Sequence, residues 1–520
     1  MGSSPRRSGR AEEVANRSHR DDILPAPSLL MAGSLTATEG ESLSPSRTVA
    51  ANSVWQLLTF AARAVSGIGV VVLVARAGGP RSLGVFQFAL TFTAMLPFYW
   101  GLPSLLAREV ARRPGDSRLW VEAGTLIAII AGAIFTGLFV IGTHVVGASQ
   151  QTAFALPVAA LGMAFDGIAR VEFAVFWAWE RMRLETIATV LQETLFLVMT
   201  AVVLASGGGV RGALIAFTAS RALGAAAGWV VVGRYLGRLP VPRSDLTFLR
   251  QTVKRCTPFA VNDTLTLTYM RADSVMLGIF RGPVAVGLYQ AGTNLVLYLN
   301  VLARCINHAL YPRMSKAWPA RREEFGRLRD ASFRVIGVIG MPIMVASLLL
   351  APRTFGFLYG ERFDRAVLTY QLLVLVIPIR MLSHTFSLAL ASMNQQTRRT
   401  ALVSVAAGSN LALNLYFIPR WSYLGAAITT VICETGLFAT YAVLVRRIAG
   451  RSALISAFVL PSLASLPMAL AILATSDQPF LVAATVGAVT YGLAMLLISA
   501  SRVPADLRRR PKAIVMGVLR

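Results

Sequence analysis

Charge is scarce in this sequence. Asp, Glu, Lys and Arg make up 14% of the 520 residues, against about 25% in soluble chains. None lies between Arg81 and Arg108, Glu122 and Asp166, Arg281 and Arg304, Arg399 and Arg420, Arg451 and Asp477, or Asp477 and Arg502. Each run is long enough to cross a hydrocarbon core as a helix, which takes about 20 residues. These runs exclude a soluble enzyme, a coiled coil and a disordered chain. They also argue against a β-barrel, whose strands are about ten residues long and alternate strictly.

Cysteine and histidine are scarce too. Cys256, Cys305 and Cys433 sit in or beside apolar segments and form no Cys-x-x-Cys pair, so nothing suggests a zinc site or a disulfide framework. His19, His144, His308 and His384 are scattered, although His308 follows Arg304 and His384 follows Arg380 by one helical turn. The chain has no Walker loop, no His-Glu-x-x-His and no dinucleotide fingerprint after a strand. No catalytic constellation, metal or cofactor is expected.

Apolar helices are what the sequence does hold. About 14 membrane spans are expected, at 52–75, 83–107, 120–146, 153–178, 185–206, 211–235, 256–280, 284–311, 333–352, 366–391, 400–418, 422–445, 453–475 and 479–500. The expected fold is an all-α polytopic membrane protein. Residues 1–50 read as a polar, disordered cytoplasmic extension, and 501–520 as a basic cytoplasmic tail.

The net charge of +25 has a membrane explanation rather than a nucleic-acid one. If the N-terminus is cytoplasmic and the spans alternate, 36 Lys/Arg fall on the inside, 8 on the outside and 6 within spans. That is a strong positive-inside bias. One span too many or too few would scramble it, so it supports both the count and two cytoplasmic termini.

The chain also repeats itself. Gly79-Pro80-x-x-x-Gly84-Val85-Phe86-Gln87 recurs as Gly282-Pro283-x-x-x-Gly287-Leu288-Tyr289-Gln290, and Gly212-Ala213-Leu214-Ile215 as Gly425-Ala426-Ala427-Ile428. The similar offsets imply a parallel duplication of six helices, the arrangement in which substrate sites lie between halves. The expected lobes are 51–236 and 237–447, followed by two further helices over 448–500.

Charges inside the spans are the candidate site. Arg63, Arg170, Arg221 and Arg380 lie near span centres. Arg271 and Arg304 lie nearer an end, where a long side chain can snorkel to the headgroups. Acids in the spans include Asp166, Glu172, Glu193, Asp263, Asp273 and Glu434. Such residues are costly in a membrane and face an interior or a wet cavity. Asp166 and Arg170, four apart, share a helix face and can pair. Arg221 and Glu434 occupy equivalent repeat positions with opposite charge. A net positive midplane cavity is expected, with Asp166, Asp263, Asp273 and Glu434 as charge partners or ion-coupling groups. Such a cavity suits an anionic substrate, because arginine presents a planar fork to phosphate oxygens.

Four stretches carry a resemblance, one of them the short Leu358–Phe363, Leu-Tyr-Gly-Glu-Arg-Phe. The other three are Val71–Arg112, Arg271–Leu295 and Asn410–Glu434, the last with Asn-x-x-Leu-Asn, Ile-Pro and Gly-Ala-Ala. Together they resemble the Wzx-like oligosaccharide flippases, bacterial polysaccharide transporters of the multidrug/oligosaccharidyl-lipid/polysaccharide (MOP) exporter superfamily, over roughly Ala51–Arg447. Asp273 matches the acidic position of that family's seventh helix. The resemblance implies a V-shaped, two-lobed transporter of the inner (plasma) membrane working by alternating access. Its cargo would be an undecaprenyl-pyrophosphate-linked oligosaccharide for O-antigen, capsule or exopolysaccharide synthesis. Its partners would be membrane lipids, a polysaccharide polymerase and a ligase. A lipid II flippase and a cation-coupled multidrug antiporter are the alternatives. The long N-terminal extension departs from the family's usual pattern.

Overall fold

The computed structural model describes residues 45–242 and 244–502. Residues 1–44, Arg243 and 503–520 lie outside the described set, which takes in most of the expected extension and almost all of the basic tail. The side chains of Arg304 and His308 also lie outside it.

Sixteen α-helices run through the described residues. They are α1 (Pro45–Ala94), α2 (Leu102–Arg112), α3 (Ser117–Val145), α4 (Gln150–Ala178), α5 (Met182–Ala205), α6 (Gly209–Tyr235), α7 (Leu246–Arg281), α8 (Pro283–Leu299), α9 (Val301–Ala317), α10 (Arg322–Leu349), α11 (Ala351–Tyr359), α12 (Val367–Val374), α13 (Val376–Ser392), α14 (Gln396–Ala449), α15 (Leu454–Ala474) and α16 (Phe480–Arg502). No strand occurs among the described residues. The fold is that of an all-α polytopic membrane protein.

Ten helical stretches are long and apolar enough to cross a membrane. Of these, Gln396–Ala449 holds two expected spans, while Val54–Ala94 holds the first and only the start of the second, which breaks after Ala94 and resumes in α2. The other two expected spans fall on α7 and on α8–α9. Helix α7 carries Asp263, Arg271 and Asp273 within its length, and α8 and α9 are 17 residues each. Large apolar side chains such as Ile134, Leu138 and Ile141 on α3 and Leu466, Leu470 and Leu473 on α15 are exposed, as lipid-facing surfaces require.

Breaks in the helices follow local chemistry rather than charge. The turn between α1 and α2 contains Pro97 and the left-handed Trp100 and Gly101. Asn300 separates α8 from α9 and turns its amide onto the Val296 carbonyl at 2.8 Å. The long α14 kinks at Ser422 (φ 53°), three residues after Pro419.

Both copies of the Gly-Pro motif adopt the same backbone. Gly79 has φ 67° and ψ −168°, and Gly282 has φ 80° and ψ −178°. Only glycine reaches that region cheaply, and the following proline is pre-set to open a helix. The two motifs also meet. A Cβ added at Gly84 would overlap the Pro283 carbonyl, and one at Gly287 would overlap the Pro80 carbonyl. Each copy therefore seats its second glycine on the other's proline, a reciprocal contact between the second half of α1 and the start of α8.

The remaining packing places the charged side chains. Helix α4 lies against α2, α3 and α6, and α6 against α5. Helix α13 packs on α9, α10 and α14, while α15 joins α10 and α16. Helix α7 touches both sets, packing on α2 and α3 as well as on α8 and α14.

Candidate functional site

The helices gather the expected charges into two clusters. In the first, Arg170 donates from Nε to Asp166 Oδ2 at 2.7 Å along α4, the pair its spacing allows. Arg221 of α6 donates to Glu193 Oε1 of α5 at 2.9 Å and lies 4.0 Å from Asp166 Oδ1. The Arg221 guanidinium caps the edge-to-face pair of Phe196 and Phe217, at 5.4 and 5.1 Å from their ring centroids. Arg170 lies over Tyr99, 5.5 Å from its centroid. Arg63 of α1 feels the charges of Arg170, Asp166 and Glu193, yet it forms no ion pair among the described residues. One turn along α1, Ser66 holds the Glu193 carbonyl at 3.0 Å. Arg63 and Arg170 also feel Glu185 of α5, so three arginines stand among three carboxylates.

The second cluster lines a cavity of about 340 Å³ bounded by α7, α8, α12, α13 and α14. Arg380 of α13 grips Glu434 Oε1 through Nε and Nη2, at 3.0 and 2.7 Å. Tyr289 of α8 donates to Asp273 Oδ2 at 2.5 Å, and its hydroxyl lies 3.3 Å from that of Thr430. Arg399, His384 and Asn410 complete the polar wall.

The single positive cavity expected from the sequence is thus drawn as two groups of charges. Arg63, Asp166, Arg170 and Arg221 come together in one, and Asp273, Arg380 and Glu434 in the other. Arg271 and Asp263 lie along α7, Asp263 near enough to act on Tyr99, the ring under Arg170, and the Arg304 side chain is outside the described residues. Arg271 lies close enough to Tyr298 to affect its phenol electrostatically. At the equivalent repeat positions, Arg221 pairs with a glutamate of the fifth expected span and Glu434 with an arginine of the tenth, so the polarity is opposite and the partner helices are not equivalent. Among the described residues no group of His, Cys, Asp and Glu could hold a metal ion.

The family termed polysaccharide biosynthesis protein matches residues 49–318, just over half the chain. The chain belongs to that family. A capsular polysaccharide biosynthesis protein, CapF, of Staphylococcus aureus is 20% identical over 389 residues, covering 73% of this chain and 94% of CapF. A putative O-antigen transporter of Shigella flexneri is 23% identical over 410 residues, covering 73% and 93%. A probable flippase, AglR, of Haloferax volcanii is 25% identical over 175 residues, a match spanning 36% of AglR. The solved lipid II flippase MurJ in an inward closed conformation superposes with a TM-score of 0.69 at 15% identity, over 87% of this chain and all of MurJ. An inward-facing multidrug transporter of the MOP superfamily gives 0.61 at 16% identity, over 76% and 96%. The fold is that of the MOP superfamily.

Within this family member the structure adds residues that sequence reading leaves out of the site. Tyr289 is the aromatic of the repeated motif, so the repeat already marked it. The motif's Gln290 is buried and donates to Ser274 at 3.0 Å and to Thr91 at 3.4 Å, linking α8 to α7 and α1. Glu193 reads from sequence only as one helix acid among several. Arg399 carries no sequence signal beyond opening a charge-free run.

Proposed function

We propose that this protein is a flippase that moves undecaprenyl-pyrophosphate-linked oligosaccharide from the cytoplasmic to the outer leaflet of the plasma membrane by alternating access. The observation that supports this reading best is the first cluster, where Arg63, Arg170 and Arg221 come together and Arg63 forms no ion pair among the described residues. A guanidinium inside a membrane protein is expensive unless an anion meets it. A pyrophosphate supplies that anion and accepts the planar fork bidentately. The relatives' roles in capsule synthesis and O-antigen transport point to the same cargo class, and family membership supports it.

Two cytoplasmic termini, a polymerase and a ligase acting on the delivered glycan, and Arg63, Arg170, Arg221, Arg271, Arg304 and Arg380 as cargo contacts belong to the same reading. Asp166, Asp263, Asp273 and Glu434 serve in it as charge partners or coupling groups. The chain carries its cargo across without breaking a bond in it.

The test is lipid analysis of a deletion strain grown with labelled sugar. Undecaprenyl-pyrophosphate-linked glycan should accumulate on the cytoplasmic face, and its mass names the glycan. Accumulation of the peptidoglycan precursor instead would make the protein a lipid II flippase. Unchanged intermediates with increased sensitivity to cationic drugs would make it a multidrug antiporter.

A further inference from the structure

Glu185 acts on the first cluster but forms no ion pair among the described residues. It lies in the first turn of α5 and is 2% exposed. Its Oε2 accepts from Trp177 Nε1 of α4 at 2.6 Å and from Gln56 Nε2 of α1 at 2.8 Å. Gln56 Nε2 also lies 3.3 Å from Met182 Sδ. Two N–H donors and a helix N-terminus suit a carboxylate. The acid is thus provided for without an arginine.

The two donors have a fixed relation to the cluster. Gln56 precedes Arg63 by seven residues on α1, and Trp177 follows Arg170 by seven on α4. Seven residues make two helical turns, which keeps each pair on one face and about 10 Å apart along the axis. Helices α1 and α4 therefore each present a donor to Glu185 and, two turns away, a cluster arginine. Arg63 and Arg170 both feel the Glu185 charge, yet neither donates to it. Arg170 gives Asp166 only its Nε. A carboxylate paired with either guanidinium would fill the fork that an anion needs. One held two turns away lowers the cost of cations inside a membrane protein and leaves their donors open.

We infer that Glu185 is a positioning residue for the anion site, a counter-charge that Gln56 and Trp177 hold at a distance from Arg63 and Arg170. It touches no cargo and acts through the two arginines. It makes the empty site tolerable, and it limits the grip on the pyrophosphate so that the cargo can leave. The inference rests on the flippase reading for the identity of the anion.

Binding of farnesyl pyrophosphate to the purified full chain tests this, with farnesol as the control that lacks the anion. Wild type should bind the pyrophosphate more tightly than the alcohol. Glu185→Gln keeps an oxygen for both donors and removes the charge. It should bind the pyrophosphate about tenfold tighter, the weight of one charge about 10 Å away at an effective dielectric of about 20. The gain should shrink as salt is raised. Without ligand this variant should melt below wild type, and the pyrophosphate should raise its melting temperature by more than it raises the wild type's. Glu185→Asp, which keeps the charge, should bind more nearly as wild type does. Gln56→Leu, and separately Trp177→Phe, keep the charge and loosen its hold. The freed carboxylate then competes for the arginines, so both should bind the pyrophosphate more weakly. A merely structural Glu185 would move all of these variants the same way, with no rescue by the anion. Equal affinity in wild type and Glu185→Gln, or a gain that salt does not reduce, overturns the role of Glu185 and leaves the flippase reading standing. Should Glu185→Gln fail to fold, unchanged affinity in Gln56→Leu and Trp177→Phe overturns it instead. If wild type binds farnesol as tightly as farnesyl pyrophosphate, the anion site fails and the flippase reading falls with it.

Discussion

An arginine paired within the protein and an arginine left for cargo respond differently to removal. Arg380 and Glu434 are paired at 2.7 Å with side chains 21% and 13% exposed. Removing one partner of a buried pair costs up to about 3–5 kcal/mol because the other charge is stranded, whereas replacing both can be nearly neutral. Arg380→Gln and Glu434→Gln should therefore each lower the melting temperature, and the double variant should recover most of the loss. Strict additivity in that double-mutant cycle would show that the pair is not coupled. Arg63 strands no carboxylate when it is lost. Arg63→Ala should leave the melting temperature close to wild type and abolish surface polysaccharide in a complemented deletion strain, with Arg63→Lys restoring part of it. Arg221→Ala should lower both, because it strands Glu193. If Arg63→Ala exports normally, the anion-binding role falls.

At the scale of helices, the two Gly-Pro motifs couple the halves of the chain. Gly84 and Gly287 have no room for a side chain, and Thr91 and Gln290 sit within the same contact. Gly84→Val or Gly287→Val should separate the second half of α1 from α8. A cysteine placed at Thr91, buried in the wild type, should then react with a water-soluble maleimide faster than it does in the unaltered background. No change in labelling rate would mean that the motifs do not hold this contact closed. The contact also shows what sequence could and could not reveal. The spans were readable because charge is excluded from lipid, so gaps such as Glu122–Asp166 mark helices directly. The repeat was readable because glycine and proline are needed at fixed offsets. The breaks at Asn300 and at Pro97–Gly101 were not, because they sit among apolar residues that leave no charge signal. The Asp166–Arg170 pair was readable because both residues lie on one helix. Arg221–Glu193 and Arg380–Glu434 join different helices, and only packing brings them together. The same limit hid the separation of the charges into two clusters.

For the molecule as a whole, the unequal distribution of basic residues makes orientation testable. Segments such as Arg108–Arg118, Arg234–Arg255 and Arg313–Arg329 are dense in Lys and Arg, while the connection between α3 and α4, from Val146 to Ser149, has none. Retaining a basic segment on the cytoplasmic side is what sets orientation, and acidic residues contribute little. Alkaline phosphatase fused after Ser149 should be active, and fused after Arg181 or Arg520 inactive. A green fluorescent protein at the last two positions should be bright. These fusions bracket α4 and then all that follows it, so a change by an odd number of crossings before Ser149, at α4 or beyond Arg181 reverses at least one of them. Activity after both Ser149 and Arg181 would mean that α4 does not cross. Activity after Arg520 with silence after Arg181 would mean that an odd number of helices crosses beyond α4. The second outcome would place α15–α16, or one partner of a kinked helix such as α14, on the wrong side. The arginine clusters would then face different compartments in the two halves, and one cargo could not engage both.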